Sequence, residues 1–243
     1  MTDDPTLAAR LATEAGALLL QLRRANPDLP PRKLGDRGDR AAHDFLMSEL
    51  ARERPQDVRF SEEAAAPESR LSAARVWIVD PLDGTREYSE GRDDFAVHVA
   101  LVERGRPLVG ALGLPGRGQT LASNHPPPLP TPRERPRILV SRSRPPPLAA
   151  RVAEAIGGEL CPMGSAGAKV GAVLLGEAEL YLHAGGFYEW DTCAPVAVAL
   201  AAGFHASRID GTPLVYNQQD PWCPDLLVCH PKLVDRVLKA VAG

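Results

Sequence analysis

Two aspartates stand three residues apart in the segment WIVDPLDGT, which occupies residues 77–85. The apolar residues VWIV lead directly into Asp80, and a proline and a leucine separate it from Asp83. An apolar run that ends in Asp-Pro and continues as Asp-Gly-Thr is typical of a buried strand that breaks into a tight turn. Carboxylates gathered at the end of a strand are suitable ligands for Mg²⁺, which prefers oxygen.

The two residues that follow Asp83 add groups that suit a phosphate. Gly84 leaves backbone N–H groups accessible, and Thr85 brings a hydroxyl beside the expected metal site. Two or more metal ions about 3.5–4 Å apart neutralise phosphate oxygens, activate a water and stabilise the leaving oxygen. The leading interpretation is therefore a metal-dependent phosphatase in which Asp80 bridges two ions. An ordinary capped turn without metal is the alternative for these residues taken alone.

The composition excludes several classes of protein. With 243 residues, 44% of them hydrophobic, the chain is long enough for one layered unit or two small lobes. Its net charge of −3 argues against electrostatic binding of nucleic acid. Its four cysteines have no CxxC spacing, so a zinc site of that kind has little support. Because we find no apolar signal core and no membrane-spanning run, we expect a cytoplasmic protein that does not contact membranes.

Apolar spacing divides the chain into an N-terminal α+β lobe, residues 1–130, and a C-terminal α/β lobe, residues 136–243. In the first lobe it predicts a helix over 5–25, then a loop over 26–38 and a second helix with Phe45, Leu46 and Leu50 inward. The predicted strands of this lobe cover residues 58–60, 76–79, 95–102, 108–114 and 120–123. A proline-rich stretch over 125–136 is predicted to link the lobes.

Strands and helices alternate in the second lobe, which is typical of an α/β arrangement. The predicted strands cover residues 138–141, 180–183, 204–207 and 226–229. The predicted helices cover residues 148–156, 165–175, 191–202 and 233–241. The chain contains no internal repeat.

Three motifs resemble those of the inositol monophosphatase and fructose-1,6-bisphosphatase superfamily, and within it the CysQ-type 3'(2'),5'-bisphosphate nucleotidases. They are the acidic SEE over residues 61–63, the segment WIVDPLDGTREYSEGRDDFAVHVALV, and EWDTCAP over residues 189–195. They occur in the family's order, and the resemblance covers nearly the whole chain. It implies the sugar-phosphatase fold, an αβαβα layered sandwich with an α+β lobe before an α/β lobe.

The resemblance also implies a set of metal ligands. Two or three Mg²⁺ ions would be held by Glu62, Asp80, the carbonyl of Leu82, Asp83 and Asp191. The helix that begins near Asp191 would carry this residue across to the ligands of the first lobe. A carboxylate at a helix start is also favoured by the helix dipole without any metal, which is the alternative for Asp191.

A second implied pair would act on the attacking water. Asp39 matches the aspartate of a Thr-x-x-Asp motif in related enzymes, and it would pair with Thr85 to orient the water. Asp36 stands at the threonine position of that motif, a departure that puts a contribution of this segment to a third metal in doubt. An ordinary helix N-cap is the alternative for Asp39.

The substrate end of the site is expected in the second lobe. The segment GSAGAK over residues 164–169 resembles a nucleotidase segment, with one extra residue before its lysine. Ser165 at a helix start and Lys169 one turn later would hold a phosphate or ribose, together with Gly84, Thr85 and His183. The alternatives are a capped helix with a solvated lysine, and a histidine with a structural role.

These patterns favour one function over two others. The expected reaction is hydrolysis of the 3'-phosphate of adenosine 3',5'-bisphosphate, and of 3'-phosphoadenylyl sulfate, by a metal-activated water. The segment REY over residues 86–88 supports a nucleotidase, whereas an inositol or fructose bisphosphate phosphatase is the alternative. The resemblance implies lithium inhibition and a role in sulfur metabolism. A catalytically silent phospho-ligand-binding protein is the other alternative, but such a protein would be expected to have lost one of the acidic ligands. A homodimer is compatible with the sequence.

Overall fold

Two five-stranded sheets alternate with three layers of helices in the structure, a computed structural model that describes residues 2–243. The helices are α1 (Asp4–Ala25), α2 (Pro31–Glu53), α3 (Thr85–Ser89), α4 (Pro147–Ile156), α5 (Ala166–Leu174), α6 (Glu189–Ala201) and α7 (Val234–Ala242). The strands are β1 (Val58–Ser61), β2 (Arg75–Asp83), β3 (Ala96–Glu103), β4 (Arg106–Leu114), β5 (Gln119–Ala122), β6 (Arg137–Ser141), β7 (Glu159–Met163), β8 (Leu180–Tyr188), β9 (His205–Ser207) and β10 (Trp222–Cys229). Within residues 2–243, no helix is both long enough and apolar enough to span a membrane.

The two sheets are both mixed. The first has the strand order β1-β2-β3-β4-β5, with β1 parallel to β2 and antiparallel pairing elsewhere. The second has the order β7-β6-β8-β10-β9, with β6 parallel to both of its neighbours. Parallel neighbours need a crossover connection, and in the second sheet α4 and α5 supply these crossovers.

Side chains that point alternately to opposite faces of β2 explain how the first sheet packs against helices on both of its faces. Trp77 and Val79 point into a core formed with α1 and α2, whereas Val76 and Ile78 point into a core that contains α5 and α6. A third core, around Val152 of α4, lies between the second sheet, α4 and α7. The expected αβαβα sandwich is therefore confirmed. Its middle core combines residues from both halves of the chain, and the boundary between lobes stays a prediction.

The loop predicted over residues 26–38 is wrong, because α2 begins at Pro31. Proline suits the first position of a helix, where its fixed φ fits and its missing N–H is not needed. Gly35 and Gly38, which made this segment resemble a loop, permit close packing instead. A Cβ on Gly35 would lie 2.8 Å from Thr85 Cγ2, and one on Gly38 would lie 2.9 Å from Tyr88 Cε1.

Three strands extend well beyond their predicted bounds, and one strand was not predicted. Strand β10 begins at Trp222 rather than at Leu226. Strand β2 continues through Pro81 as far as Asp83, with a register shift between Asp80 and Asp83, so the predicted break after residue 79 is wrong. Strand β8 runs to Tyr188 rather than ending at His183. Strand β7 lies at a sheet edge, where a strand that contains proline is tolerated.

Candidate active site

Three of the predicted acidic residues meet where the end of β2 faces the start of α6. Asp80, Asp83 and Asp191 offer carboxylate oxygens that all lie within 4.8 Å of one another. Glu62 directly follows β1, the parallel neighbour of β2, so both strands deliver an acidic residue to the same edge of the sheet. The structure therefore gathers carboxylates that are up to 129 residues apart in the chain, counted from Glu62 to Asp191.

Burial and mutual repulsion perturb these carboxylates. Burial, followed by the charges of Glu62 and Asp83, raises the pKa of Asp80 well above its ordinary value. Burial and the charge of Asp83 raise the pKa of Asp191 to about 7. Burial of its carboxyl end also raises the pKa of Glu62, although this residue as a whole is exposed at the edge of the cluster. A cluster of this kind needs positive charge before all of its members can ionise together.

One carboxylate oxygen of Asp80 indicates where a cation would bind. Asp80 Oδ1 accepts a hydrogen bond from the Leu82 N–H at 3.0 Å, but Oδ2 is buried and has no hydrogen-bond partner among the described residues. Buried polar atoms rarely remain unpaired without a reason. A set of carboxylate oxygens around an unpaired oxygen suits Mg²⁺, so the residues present fit the predicted cofactor.

Asp83 differs from its neighbours because the start of α5 donates to it. Its carboxylate accepts hydrogen bonds from Ser165 Oγ at 2.5 Å, from Gly167 N at 2.5 Å and from Ala166 N at 3.2 Å. Burial raises the pKa of Asp83, but His98 and these donors outweigh it and bring the pKa to about 2. Asp83 therefore ionises at a lower pH than Asp80 and Asp191 do.

His98 is a site residue that sequence reasoning missed. Its ring is fully buried in β3, and Nδ1 lies 2.9 Å from the carbonyl oxygen of Trp190 at the start of α6. Nε2 lies 3.3 Å from Asp83 Oδ2, close enough for an ion pair when the ring is protonated. Burial opposes protonation of the ring, but Asp83 outweighs it and raises the pKa of His98. The ring thus connects the acidic residues of β2 to α6. A histidine inside the apolar run FAVHVALV was the available signal.

The structure places Asp39 and Thr85 together, as the resemblance implied. Thr85 Oγ1 lies 3.2 Å from Asp39 Oδ1 and 3.1 Å from the Leu82 carbonyl oxygen, so its single hydrogen is shared between two acceptors. Asp39 is inside α2, so the alternative of a helix N-cap is wrong. Burial, with Glu63 and then Glu62, raises the pKa of Asp39 to about 7. Gly84 has φ of +90°, which turns the chain from β2 into α3.

Three of the predicted substrate contacts already have partners in the protein. Ser165 accepts a hydrogen bond from the Ala168 N–H at 2.9 Å, so it caps α5 while donating to Asp83. Lys169 is 4% exposed, and its Nζ donates to the carbonyl of Ser165 at 2.5 Å. Burial lowers its pKa, so a solvated lysine is not what the structure contains. His183 Nε2 lies 3.1 Å from the Gly186 carbonyl. Contact of these residues with substrate stays a prediction.

The REY segment holds α3 in place. Glu87 is buried and forms an ion pair with Arg142, with Nε 2.6 Å from Oε1. The hydroxyl of Tyr88 donates to the carbonyl of Leu19 in α1 at 2.9 Å. This segment therefore joins α3 to α1 and to the loop after β6, and its contacts give no direct information about the substrate.

We expect the metal-free protein to be less stable at about pH 8 than at about pH 5. Asp39 and Asp191 each have a pKa of about 7, above the ordinary value of 3.8, so the folded protein holds these protons to a higher pH than the unfolded chain. The stabilisation that these protons provide is complete below the unfolded pKa of 3.8. It is lost as the pH rises through the folded pKa of about 7. The raised pKa values of Glu62 and Asp80 add to this slope. Burial lowers the pKa values of His183 and His205 from 6.5, which opposes the slope below about pH 6.5, and the lowered pKa of Asp83 opposes it only between about pH 4 and about pH 2. Thermal unfolding in EDTA across this range measures the slope.

Magnesium should reverse this slope, because the cation competes with protons for the same carboxylates. The rise in melting temperature on adding Mg²⁺ should therefore be larger at about pH 8 than at about pH 5. The Asp191→Asn variant, which lacks one of the carboxyl groups whose raised pKa produces the slope, should show a shallower slope in EDTA. A melting temperature in EDTA that increases from about pH 5 to about pH 8 would contradict the prediction.

The chain is similar to known proteins over nearly its whole length. The family described as "Inositol monophosphatase family" matches residues 7–242. The 3'-phosphoadenosine 5'-phosphate phosphatase of Mycobacterium leprae is 46% identical over 259 residues, covering 98% of this chain and 93% of the relative. The protein of the same name from Mycobacterium bovis is 47% identical over 240 residues, covering 94% and 90%. The crystal structure of CysQ from Bacteroides thetaiotaomicron superposes with a TM-score of 0.80 at 25% identity, covering 93% of this chain and 97% of that one.

Proposed function

Because this chain belongs to the inositol monophosphatase family, we propose that it is a phosphatase that removes the 3'-phosphate from adenosine 3',5'-bisphosphate. The observation that carries the phosphatase activity is the buried cluster of Asp80, Asp83 and Asp191 around an unpaired carboxylate oxygen. The names of the two mycobacterial relatives support the choice of substrate. Action on 3'-phosphoadenylyl sulfate is part of the same proposal.

Magnesium would be held by the acidic cluster. The proposed ligands are Glu62, Asp80, the Leu82 carbonyl, Asp83 and Asp191, which together offer enough oxygen for two or three ions. When bound, the ions supply positive charge that neutralises the phosphate and makes a nearby water easier to deprotonate. The protein's part is to fix these oxygens, since β1, β2 and α6 are all anchored in the middle core.

Asp39 and Thr85 would act on the attacking water. Thr85 Oγ1 would direct its hydrogen to Asp39 rather than to the Leu82 carbonyl, its other acceptor, and a lone pair of the hydroxyl would then accept a hydrogen from that water. In the metal-free protein, burial and the charges of Glu63 and Glu62 raise the pKa of Asp39 to about 7, so Asp39 would be the member of this pair that accepts a proton. The backbone N–H groups of Gly84 and Thr85 would orient the phosphate that is transferred to water.

A second candidate function is hydrolysis of an inositol phosphate or fructose bisphosphate. The observation that favours it is that Lys169 Nζ and His183 Nε2 are bonded to backbone carbonyls, so neither of these two nitrogen atoms is free in this structure for a second phosphate. If these residues release their carbonyls to bind the nucleotide, replacing either one by alanine should lower activity on the nucleotide more than on inositol phosphate. A silent phospho-ligand-binding protein is the third candidate.

Phosphate release from a panel of substrates tests the proposal. We expect the highest kcat/KM with adenosine 3',5'-bisphosphate, lower values with inositol 1-phosphate and fructose 1,6-bisphosphate, and inhibition by lithium. Activity should require Mg²⁺ and disappear in excess EDTA, because the buried carboxylates alone repel a phosphate. Full activity in EDTA would exclude the metal-dependent mechanism. A clear preference for inositol 1-phosphate would favour the second candidate, and no release from any substrate would favour the third.

A further inference from the structure

Tyr188 and Trp222 are the two aromatic side chains among residues 2–243 that are largely exposed, at 45% and 50%. They face each other directly across the antiparallel pair of β8 and β10. Side chains directly opposite in an antiparallel pair lie on the same face of the sheet, so the two exposed rings project from the same face. We call Tyr188 and Trp222 the aromatic pair.

Tyr188 connects the aromatic pair to the acidic cluster. The backbone N–H of Tyr188 donates to Asp191 Oδ2 at 2.7 Å, so this residue lies within one hydrogen bond of a proposed metal ligand. Its ring stacks on Trp190 with centroids 4.6 Å apart and an angle of 12° between the planes. Trp190 in turn packs edge-on against Phe60 of β1. One face of the Tyr188 ring is therefore supported, and the ring is held at the rim of the site.

Trp222 is held against the backbone of β8. A Cβ on Gly186 would lie 2.6 Å from its Nε1 and 2.9 Å from its Cε2. Gly186 has φ of +89°, so glycine is favoured here for its conformation as well as for the space that the indole occupies. The ring thus has one side against the protein and one side open to solvent. Neither ring belongs to one of the three hydrophobic cores, so the packing of the fold does not explain two supported, exposed rings beside the proposed phosphate site.

We propose that the aromatic pair stacks on the purine base of the nucleotide while the acidic cluster holds the phosphate. This inference rests on the proposed function and adds to it the residues that select a nucleotide. The base is the part of adenosine 3',5'-bisphosphate that offers a flat π face, and it lies one ribose away from the phosphate. Inositol and fructose phosphates have no such face, so the aromatic pair would favour the nucleotide over both sugars.

The test compares adenosine 3',5'-bisphosphate with ribose 3,5-bisphosphate, which lacks the base. In Tyr188→Leu and in Trp222→Leu, the ratio of the two kcat/KM values should fall about tenfold, within the range of a lost base stack. Tyr188→Phe and Trp222→Phe keep an aromatic face and should keep most of the ratio. Leu108→Ala, which changes an exposed apolar residue on β4, is the matched control and should leave the ratio unchanged.

Calorimetric binding of adenosine 5'-monophosphate and of ribose 5-phosphate separates this inference from the proposed function. If the wild type releases phosphate from no nucleotide, the proposed function fails, and the binding data still decide the role of the aromatic pair. Adenosine 5'-monophosphate should bind about tenfold more tightly to the wild type than to either leucine variant. An unchanged ratio and unchanged affinity in both leucine variants would overturn the inference, and so would a change in only one of them.

Discussion

Replacing Asp80 with asparagine is expected to lower kcat/KM by at least about 100-fold while stabilising the metal-free protein. The loss of activity, about 3 kcal/mol of barrier, follows because the variant would lack one of the negative ligands proposed for magnesium. The gain in stability follows because Asp80 is buried beside Glu62, Asp83 and Asp191, and its Oδ2 has no hydrogen-bond partner. An amide of the same shape carries no charge and can donate to a neighbouring carboxylate. Phosphate release with Mg²⁺ and urea unfolding in EDTA measure the two effects.

A surface aspartate provides the control for this substitution. Asp44 is exposed on α2, so Asp44→Asn should change neither the activity nor the free energy of unfolding. Turnover close to that of the wild type in Asp80→Asn would defeat the assignment of Asp80 as a metal ligand. A clear loss of stability in EDTA would mean that repulsion within the cluster is not the dominant effect.

Replacing Asp83 with asparagine should reduce activity to a similar extent but have the opposite effect on stability. The carboxylate accepts three hydrogen bonds, from Ser165 Oγ, Ala166 N and Gly167 N. An asparagine offers one oxygen, and its amide nitrogen would face a donor. A buried donor left without an acceptor costs about 1–3 kcal/mol. Urea unfolding in EDTA should therefore show Asp83→Asn to be less stable than the wild type. A stability shift of the same sign as that of Asp80→Asn would contradict this reading of Asp83.

Sequence reasoning was most successful where a motif is local. The acidic residues of the DPLDGT segment follow an apolar strand, and this signal depends only on neighbours in the chain. Glu62 and Asp191 required the resemblance, because nothing in composition or spacing connects them to Asp80. The structure brings Asp191 to the cluster only because α6 packs between the two sheets.

The failures arise where distant contacts override local preference. Gly35 and Gly38 are unfavourable inside a helix, but α2 retains them because Thr85 and Tyr88 occupy the space that a Cβ would fill. Lys169 is expected on a surface, yet carbonyl groups at the start of its own helix satisfy its ammonium in the interior. Neither outcome can be inferred from spacing, since both depend on which segments meet in space.

The middle core, to which both halves of the chain contribute, limits how far the two halves can move apart when substrate enters. The faces of β2, β3 and β4 that carry Ile78, Ala100 and Leu112 are covered by α5 and α6, which come from the other half of the chain. A hinge that opened the halves would expose this apolar surface to water at about 25 cal/mol for each Å². We therefore expect the site to work without domain closure, with its carboxylates preorganised at fixed separations and with ions and substrate entering along the solvent-facing edge.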